Sequence, residues 1–216
     1  MELGAWRRIP RMDASKHWDR VYGGRAPEQM SWYRPHLEHS LSLIEQARLP
    51  ADAGIIDVGG GASTLVDDLL DHGYTRITVV DISAKATAPV RERLGARSAS
   101  VTWLTGDITR LELPVREFDF WHDRAVFHFL REEEARVRYV AAVQRALKPG
   151  GHVVVATFGP AGPEHCSGLE VMRYSADDIH GQFGRAFRKL SSFTEVHLTP
   201  GGTEQEFVYC FCKMAE

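Results

Sequence analysis

Residues 55–63 read IIDVGGGAS: a short apolar run, an acid, three consecutive glycines and two small residues. The apolar run predicts a buried strand. Glycines directly after a strand let the chain turn tightly, or let a ligand approach the backbone without a Cβ in between. A structural turn and a nucleotide-binding loop both fit this stretch when it is taken alone. The rest of the sequence has to separate them.

The glycine-rich loop departs from two well-known phosphate-binding patterns. Thr64 stands where a third glycine would complete G-x-G-x-x-G, and no G-K-[ST] follows the glycines. The first departure weakens a dinucleotide-binding loop, and the second excludes a P-loop.

Two further acids follow later predicted strands. Asp81 ends the apolar stretch RITVVD, and Asp107 follows VTWLTG. Each acid alone is more often a turn or capping residue than a ligand contact. Because the carboxyl ends of parallel strands share one crevice, Asp57, Asp81 and Asp107 are expected to lie together. There Asp81 is placed to accept hydrogen bonds from ribose hydroxyls, and Asp107 from an adenine amino group.

Strand and helix patterns alternate from residue 55 to 158, which indicates a parallel α/β sheet. Asp13 or Ser15 is expected to cap a first helix, and Pro89 is expected to break or delay a later one. After Phe158 an irregular segment, 159–174, precedes a short helix. Two long strands separated by PGGT then predict an antiparallel pair at the end of the chain.

Five stretches, DVGGGAS, VVDIS, GDI, FDFWHDR and LKPGG, occur in this order. They resemble the motifs of class I S-adenosylmethionine-dependent methyltransferases, and the resemblance covers residues 13–216. It implies one Rossmann-like α/β domain over 1–216, with a seven-stranded, mostly parallel sheet, a reversed last strand and helices on both faces. Ser63 departs from the pattern, because many members have a final glycine there.

The resemblance also implies S-adenosylmethionine as cofactor. By that likeness the methionine part would lie near Asp57 and the glycines Gly59 and Gly61, the ribose on Asp81, and the adenine among Ile82, Asp107 and Ile108. S-adenosylmethionine has no pyrophosphate, which agrees with the missing third glycine. Its sulfonium cation favours aromatic faces and carboxylates nearby.

Aromatic residues are concentrated near the N-terminus, in HWDRVYGG and in SWY. Trp18 and Tyr22, one helical turn apart, could simply pin a helix to the core. Trp32 and Tyr33, in contrast, lie in a loop flanked by glycine and proline. The two stretches resemble the N-terminus of small methyltransferases related to the eukaryotic elongation-factor lysine methyltransferases. That likeness implies that Trp18, Tyr22 and Trp32 cover the cofactor as a lid within residues 13–48.

The acceptor side is predicted from strand four and from the segment 159–174. His122, at the tip of strand four, is the candidate general base and a cofactor contact, because a histidine has a suitable pKa. Asp123 is expected to cap the next helix and pair with Arg124, and His128 to pack in the core. A long irregular segment beside a site is typical of a substrate lid. The candidate substrate residues are Tyr33, His165, Cys166 and Arg173.

Composition narrows the function further. The formal charge is −3 and no basic, aromatic-studded patch occurs, so neither nucleic acid nor a membrane is expected as partner. Three cysteines (Cys166, Cys210, Cys212) without metal-ligand spacing indicate no metal and a reducing cytoplasm. The N-terminal stretch has arginines but no apolar h-region, so a secretory signal is not expected, and Met12 is a candidate alternative start that would make residues 1–11 an extension.

Strand four lacks the NPPY motif of base and glutamine methyltransferases. We therefore expect a small-molecule acceptor, such as a thiol or another soft nucleophile. A protein lysine methyltransferase is the alternative, followed by a non-catalytic cofactor-binding protein. The sequence does not indicate an oligomeric state.

Overall fold

The computed structural model describes residues 13–216, so the expectation about residues 1–11 lies outside the described residues. The α-helices, numbered along the chain, are α1 (Ala14–Gly23), α2 (Glu38–Gln46), α3 (Leu65–Asp71), α4 (Ala84–Leu94), α5 (Glu133–Ala146) and α6 (Ala176–Phe183). Single 3-10 turns lie at Pro27–Gln29, Gly95–Ser100, Phe127–Phe129 and Gly184–Ala186.

The strands of the main sheet are β1 (Gly54–Val58), β2 (Arg76–Asp81), β3 (Val101–Thr105), β4 (Phe118–Arg124), β5 (Leu147–Phe158), β8 (Phe187–Leu198) and β9 (Glu204–Met214); β6 (His165–Cys166) and β7 (Leu169–Glu170) form a separate hairpin. The sheet order is β3-β2-β1-β4-β5-β9-β8. Strands β1 to β5 are mutually parallel, whereas β9 is antiparallel to both β5 and β8. The predicted fold, with seven strands and a reversed last strand, is confirmed.

The central strand β1 shows why the chain folds into layers. Ile55 pairs in register with Ile77 of β2 and with Phe120 of β4. Ile55 and its neighbour Ile56 are both fully buried, but they belong to different core clusters. Because successive side chains of a strand point to opposite faces, a continuously apolar strand requires a helical layer on each side.

Both layers are present. One face of the sheet packs against α2, α3 and α4, for example through Ile44, Leu69 and Val90. The other face packs against α5 and α6, for example through Val143 and Ile179. The carboxyl ends of β1 to β4 therefore meet at one edge between the two layers.

Local signals in the sequence account for most helix ends. Asp13 caps α1, because its side chain accepts a hydrogen bond from the Lys16 amide. Gly73, with a φ of 84°, follows the end of α3, where glycine is the usual residue. The expectation for Pro89 is wrong: α4 runs through it, from a cap at Ser83 to Gly95. Of the described part of the chain, no helix has the length and apolar character needed to cross a membrane.

A buried hydrogen-bond network fixes the end of β4 against α5. The Tyr139 hydroxyl donates to Asp123 Oδ2 at 2.6 Å and accepts from Trp121 Nε1 at 2.9 Å. The other oxygen of Asp123 accepts from the amides of Val126 and Phe127, and so caps the turn after β4, as the sequence predicted. All the side-chain groups of this network are removed from solvent, so each depends on its partners.

We expect Tyr139→Phe to lower the free energy of unfolding by about 2 kcal/mol, because the change leaves one buried donor and one buried acceptor without partners. Chemical denaturation followed by circular dichroism measures this loss. Tyr74→Phe is the control, since the Tyr74 hydroxyl has no hydrogen bond to lose among those found in the described residues. Equal effects of the two changes would contradict a special role for the Tyr139 hydroxyl.

Candidate functional site

The edge where β1 to β4 end holds a cavity of about 220 Å³, here called the larger cavity. Eight of the predicted cofactor residues line it: Trp18, Tyr22, Trp32, Gly59, Asp81, Ile82, Asp107 and Ile108. They come from the N-terminal segment, from the glycine loop and from the ends of β2 and β3. The structure thus brings together residues that are distant in sequence.

A smaller cavity of about 40 Å³ adjoins the larger one. The two share Trp32, Gly59 and Arg124. The smaller cavity is also lined by Asp57 and His122, and by Tyr33 and Arg34 from the N-terminal loop. It therefore lies on the β1 and β4 side of the site, whereas the larger cavity extends toward β2 and β3.

The loop requires glycine because neighbouring side chains of the protein occupy the space that a Cβ would need. A Cβ on Gly59 would lie 2.0 Å from the Val126 side chain, and one on Gly61 would lie 2.6 Å from the Tyr22 hydroxyl. Both glycines also have positive φ, 69° and 46°, which other residues rarely adopt. Gly61 lines neither cavity. Its amide hydrogen-bonds the carboxylate of Asp81 instead.

Asp81 is a buried acid at the end of β2, with 6% of its surface exposed. Its Oδ1 accepts a hydrogen bond from the Ser83 amide at 2.8 Å. Burial raises the pKa of Asp81 to about 7, against the opposing effect of the Ser83 and Gly61 amides. A buried carboxylate that lines a cavity, with its charge only partly compensated, is suited to accept hydrogen bonds from a ligand.

Asp107 has local partners in addition to its place in the larger cavity. Its Oδ1 accepts hydrogen bonds from the amide and the hydroxyl of Thr109, at 2.9 and 2.7 Å. Asp107 therefore stabilises a local turn, which was one of the two roles that the sequence left open. Its contact with an adenine amino group stays a prediction. Ile82 and Ile108 provide apolar walls on the same side.

The structure does not support His122 as a general base. Its Nδ1 lies 2.7 Å from Asp57 Oδ1 and its Nε2 lies 2.8 Å from the Ser40 hydroxyl, so both ring nitrogens have partners. The residue is 1% exposed and lines the smaller cavity only. His122 instead fixes the orientation of Asp57 beside the glycine loop.

The N-terminal aromatic residues line the larger cavity and contact one another, and their role as a lid over the cofactor stays a prediction. The Trp18 ring packs edge-on against Trp32 at 5.8 Å and against Phe129 at 5.2 Å. Asp19, on the same helix, accepts a hydrogen bond from the Ser83 hydroxyl at 2.6 Å. Because Ser83 also bonds to Asp81, the helix α1 is tied directly to the end of β2.

The predicted substrate residues are only partly brought together. Cys166 lines the larger cavity, and burial raises the pKa of its thiol to about 11, so the thiol stays neutral. Tyr33 lines the smaller cavity. His165 and Arg173 line neither cavity. His165 is exposed, and Arg173 bonds Glu164 at 3.0 Å within the segment 159–174.

Three charged residues near the site were missed as site residues: Arg34, Arg124 and Glu195. The expected pairing of Arg124 with Asp123 is wrong, because adjacent residues of a strand point to opposite faces. Arg124 Nε instead donates to the Tyr209 hydroxyl at 3.0 Å, and its Nη1 donates to the Trp32 carbonyl at 3.1 Å. The alternation along β4 was the signal that could have revealed this.

Comparison with known proteins agrees with the site. The family described as Methyltransferase domain matches residues 55–151. A mouse (Mus musculus) protein named eEF1A lysine and N-terminal methyltransferase is 27% identical over 154 residues, which cover 68% of this chain and 22% of that protein. The chain spans about a fifth of the length of the curated relatives that it matches first.

Two solved structures share the fold. One, described as the conversion of a disulfide bond into a thioacetal group during echinomycin biosynthesis, has a TM-score of 0.74 and 18% identity, covering 94% of this chain and 92% of that chain. The other is 1,6-didemethyltoxoflavin-N1-methyltransferase from Burkholderia thailandensis, with bound 1,6-didemethyltoxoflavin and S-adenosylhomocysteine. Its TM-score is 0.65 at 19% identity, covering 94% and 85% of the two chains.

The strand order and the reversed β9, the acids at the strand ends, the glycine loop and the family match all agree. Residues 55–151 match the methyltransferase-domain family, and the fold and the similar proteins together support a class I S-adenosylmethionine-dependent methyltransferase.

Proposed function

We propose that this methyltransferase transfers a methyl group to a small-molecule nucleophile, such as a thiol, in the enclosed space beneath the aromatic cover. The observation that carries the proposal is the charge distribution in the larger cavity. Its acids, Asp81 and Asp107, lie at the ends of β2 and β3, whereas the side formed by β4 carries the guanidinium of Arg124.

The residues at the acidic side fit the adenosine part of S-adenosylmethionine. Asp81 would accept from the ribose hydroxyls, and Ile82, Asp107 and Ile108 would hold the adenine. Gly59 and Asp57 would lie along the methionine part. When bound, the cofactor supplies an activated methyl group on a sulfonium, so the protein mainly positions the acceptor and excludes water.

The β4 side suits an acceptor that ionises without an enzymatic base. Of the described residues that line the larger cavity, none is a histidine, and its acids are those of the adenosine side. A thiol has an ordinary pKa of about 8.5, so a fraction of it is ionised near neutral pH without a base, and a guanidinium nearby favours the resulting anion. The rings of Trp18, Trp32 and Phe129 keep this side apolar.

A protein lysine methyltransferase is the second candidate, because the curated relatives carry that name. A lysine acceptor enters as an ammonium ion, which requires a carboxylate or an aromatic cage and an open groove. Arg124 on the acceptor side opposes such a cation. The small-molecule acceptor therefore accounts better for the charges at the site.

We expect labelled S-adenosylmethionine, incubated with the protein and either a panel of thiols and metabolites or a heat-treated lysate, to transfer label to small molecules. Separating volatile, small and protein-bound label measures this directly. Label found only in protein would contradict the proposed acceptor and favour the lysine alternative. A sample without the enzyme controls for spontaneous methylation.

We expect Asp81→Asn to weaken S-adenosylhomocysteine binding by about 10- to 100-fold, because hydrogen bonds to a charged acceptor contribute about 1.5–3 kcal/mol. The same change should raise the melting temperature of the ligand-free protein at pH 8. The pKa of Asp81 in the folded protein lies above its unfolded value, so its ionisation costs stability as pH rises from about 4 to about 7.

Calorimetry and thermal unfolding test both effects. Asp119→Asn is a matched control, because Asp119 lies on β4 away from the cavities and bonds Lys148 at 2.7 Å. If the Asp81→Asn variant binds S-adenosylhomocysteine as tightly as the wild type does, Asp81 is not a cofactor-binding residue.

We expect the affinity for S-adenosylhomocysteine to fall as pH decreases below about 7, by at most tenfold per pH unit. The ligand requires the ionised carboxylate of Asp81, whose pKa is about 7 in the ligand-free protein, so binding releases a proton. Titrations between pH 6 and 8 in two buffers of different ionisation enthalpy measure the release. Asp81→Asn should make the profile flat, and a flat profile in the wild type would contradict the assignment.

A further inference from the structure

We propose that Arg124, assisted by Arg34, forms an anion site where the two cavities join, and that this site binds a carboxylate group of the methyl acceptor. The inference rests on the proposed function, since it names the chemical class of acceptor for the same site.

Arg124 is held in one orientation by three contacts, two with β9 and one with the N-terminal loop. Its Nε donates to Tyr209 on β9, its Nη1 donates to the Trp32 carbonyl in the N-terminal loop, and its guanidinium carbon lies 4.2 Å from the centre of the Phe207 ring. The remaining nitrogen, Nη2, is buried and has no partner among the described residues. Burying a guanidinium donor without an acceptor costs free energy. A ligand oxygen is therefore the partner that we assign to Nη2.

Arg34 is a second guanidinium at the smaller cavity. Its Nη2 bonds Glu195 on β8, while its Nε is buried and has no partner among the described residues. Arg34 and Arg124 both line the smaller cavity. Two incompletely satisfied guanidinium groups on one small space match the planar oxygens of a carboxylate, which guanidinium groups bind through paired hydrogen bonds.

The acids around the arginines leave the buried donors Arg124 Nη2 and Arg34 Nε without partners among the described residues. Burial opposes the ionisation of Glu195, but Arg124 and Arg34 hold its pKa below the usual range, and the exposed Glu38 lies 3.9 Å from Arg34 Nη1. Burial and Arg124 lower the pKa of His128 to about 3 and also lower that of His197, so both stay neutral. Asp57, the acid among the residues that line the smaller cavity, is engaged by His122.

The apolar surroundings determine the rest of the acceptor. Trp18, Trp32 and Phe129 line the larger cavity with aromatic rings, next to Arg124. Cys166 adds a neutral thiol. A small molecule with a flat apolar body, a nucleophilic group and one carboxylate would contact the rings and the guanidinium together. The methionine part of the cofactor, placed along Asp57 and Gly59 of the same smaller cavity, is the second source of a carboxylate, and the experiment separates the two.

The test measures binding to the protein saturated with S-adenosylhomocysteine, with benzoate and benzamide as probes. The two have the same size and differ in charge. We expect calorimetry to show that benzoate binds at least tenfold more tightly than benzamide. Arg124→Gln should abolish this preference while S-adenosylhomocysteine binding stays within about twofold, and Arg124→Lys should restore part of it, because it keeps the positive charge. Arg97→Gln, a surface change at a residue paired with Asp71, is the control.

Three outcomes would overturn the anion site. Equal affinity for the two probes would show that charge is not recognised. A loss of S-adenosylhomocysteine affinity in Arg124→Gln, with 5′-methylthioadenosine binding unchanged, would assign the guanidinium to the carboxylate of the cofactor. A preference for benzoate that persists in Arg124→Gln would place the anion elsewhere. Thermal unfolding of each variant shows whether it is folded.

The test separates this inference from the proposed function. Methylation of 3-mercaptobenzoate and of its methyl ester at equal rates would leave the small-molecule function standing and remove the anion site. If neither compound is methylated and label appears only in protein, the proposed function is wrong. A faster reaction of 3-mercaptobenzoate, lost in Arg124→Gln, supports both.

Discussion

The structure depends on one buried carboxylate, that of Asp81 at the end of β2. Two backbone amides, from Gly61 and Ser83, hydrogen-bond it, yet its pKa is still raised to about 7. The glycine loop has to bend at Gly61 to bring its amide there, and Tyr22 has to lie over that glycine. Through Ser83 and Asp19 the same acid is connected to α1. The predicted cofactor recognition by Asp81 and the position of α1 are thus linked through one local arrangement.

That arrangement is unfavourable for the ligand-free protein, because an ionised carboxylate loses hydration when it is buried. Functional sites commonly carry such a cost, which the rest of the fold compensates. Here the compensation comes from the continuously apolar strands, with residues such as Ile55 and Ile56 packed on opposite faces of the sheet. The unfavourable charge lies where the strands end, and the core between the layers remains apolar.

The sequence predicted the fold and the grouping of Asp81 and Asp107 at one edge of the sheet, because both depend on local patterns. Strands end at Asp81 and before Asp107, and strand ends gather by topology alone. The acceptor side could not be predicted in the same way. Arg124 is positioned by Trp32 of the N-terminal loop and by Phe207 and Tyr209 of β9, which are distant from it in the chain and reach it only in the folded protein. His122 was misread for the same reason, since its partner Ser40 lies on α2.

The wrong pairing of Arg124 with Asp123 could have been avoided from the sequence, because the side chains of successive strand residues point to opposite faces of the sheet. His122 and Arg124 share one face with α2 and the aromatic cover, while Asp123 faces Tyr139 and α5. The same alternation gives the two faces different roles. The face of Asp123 anchors the turn after β4 through a closed network, in which every polar atom of the tyrosine, tryptophan and carboxylate is used. On the face of Arg124, the Nη2 donor has no hydrogen-bond partner among the described residues. A second substrate can therefore bind on this face without breaking a hydrogen bond that holds the strand.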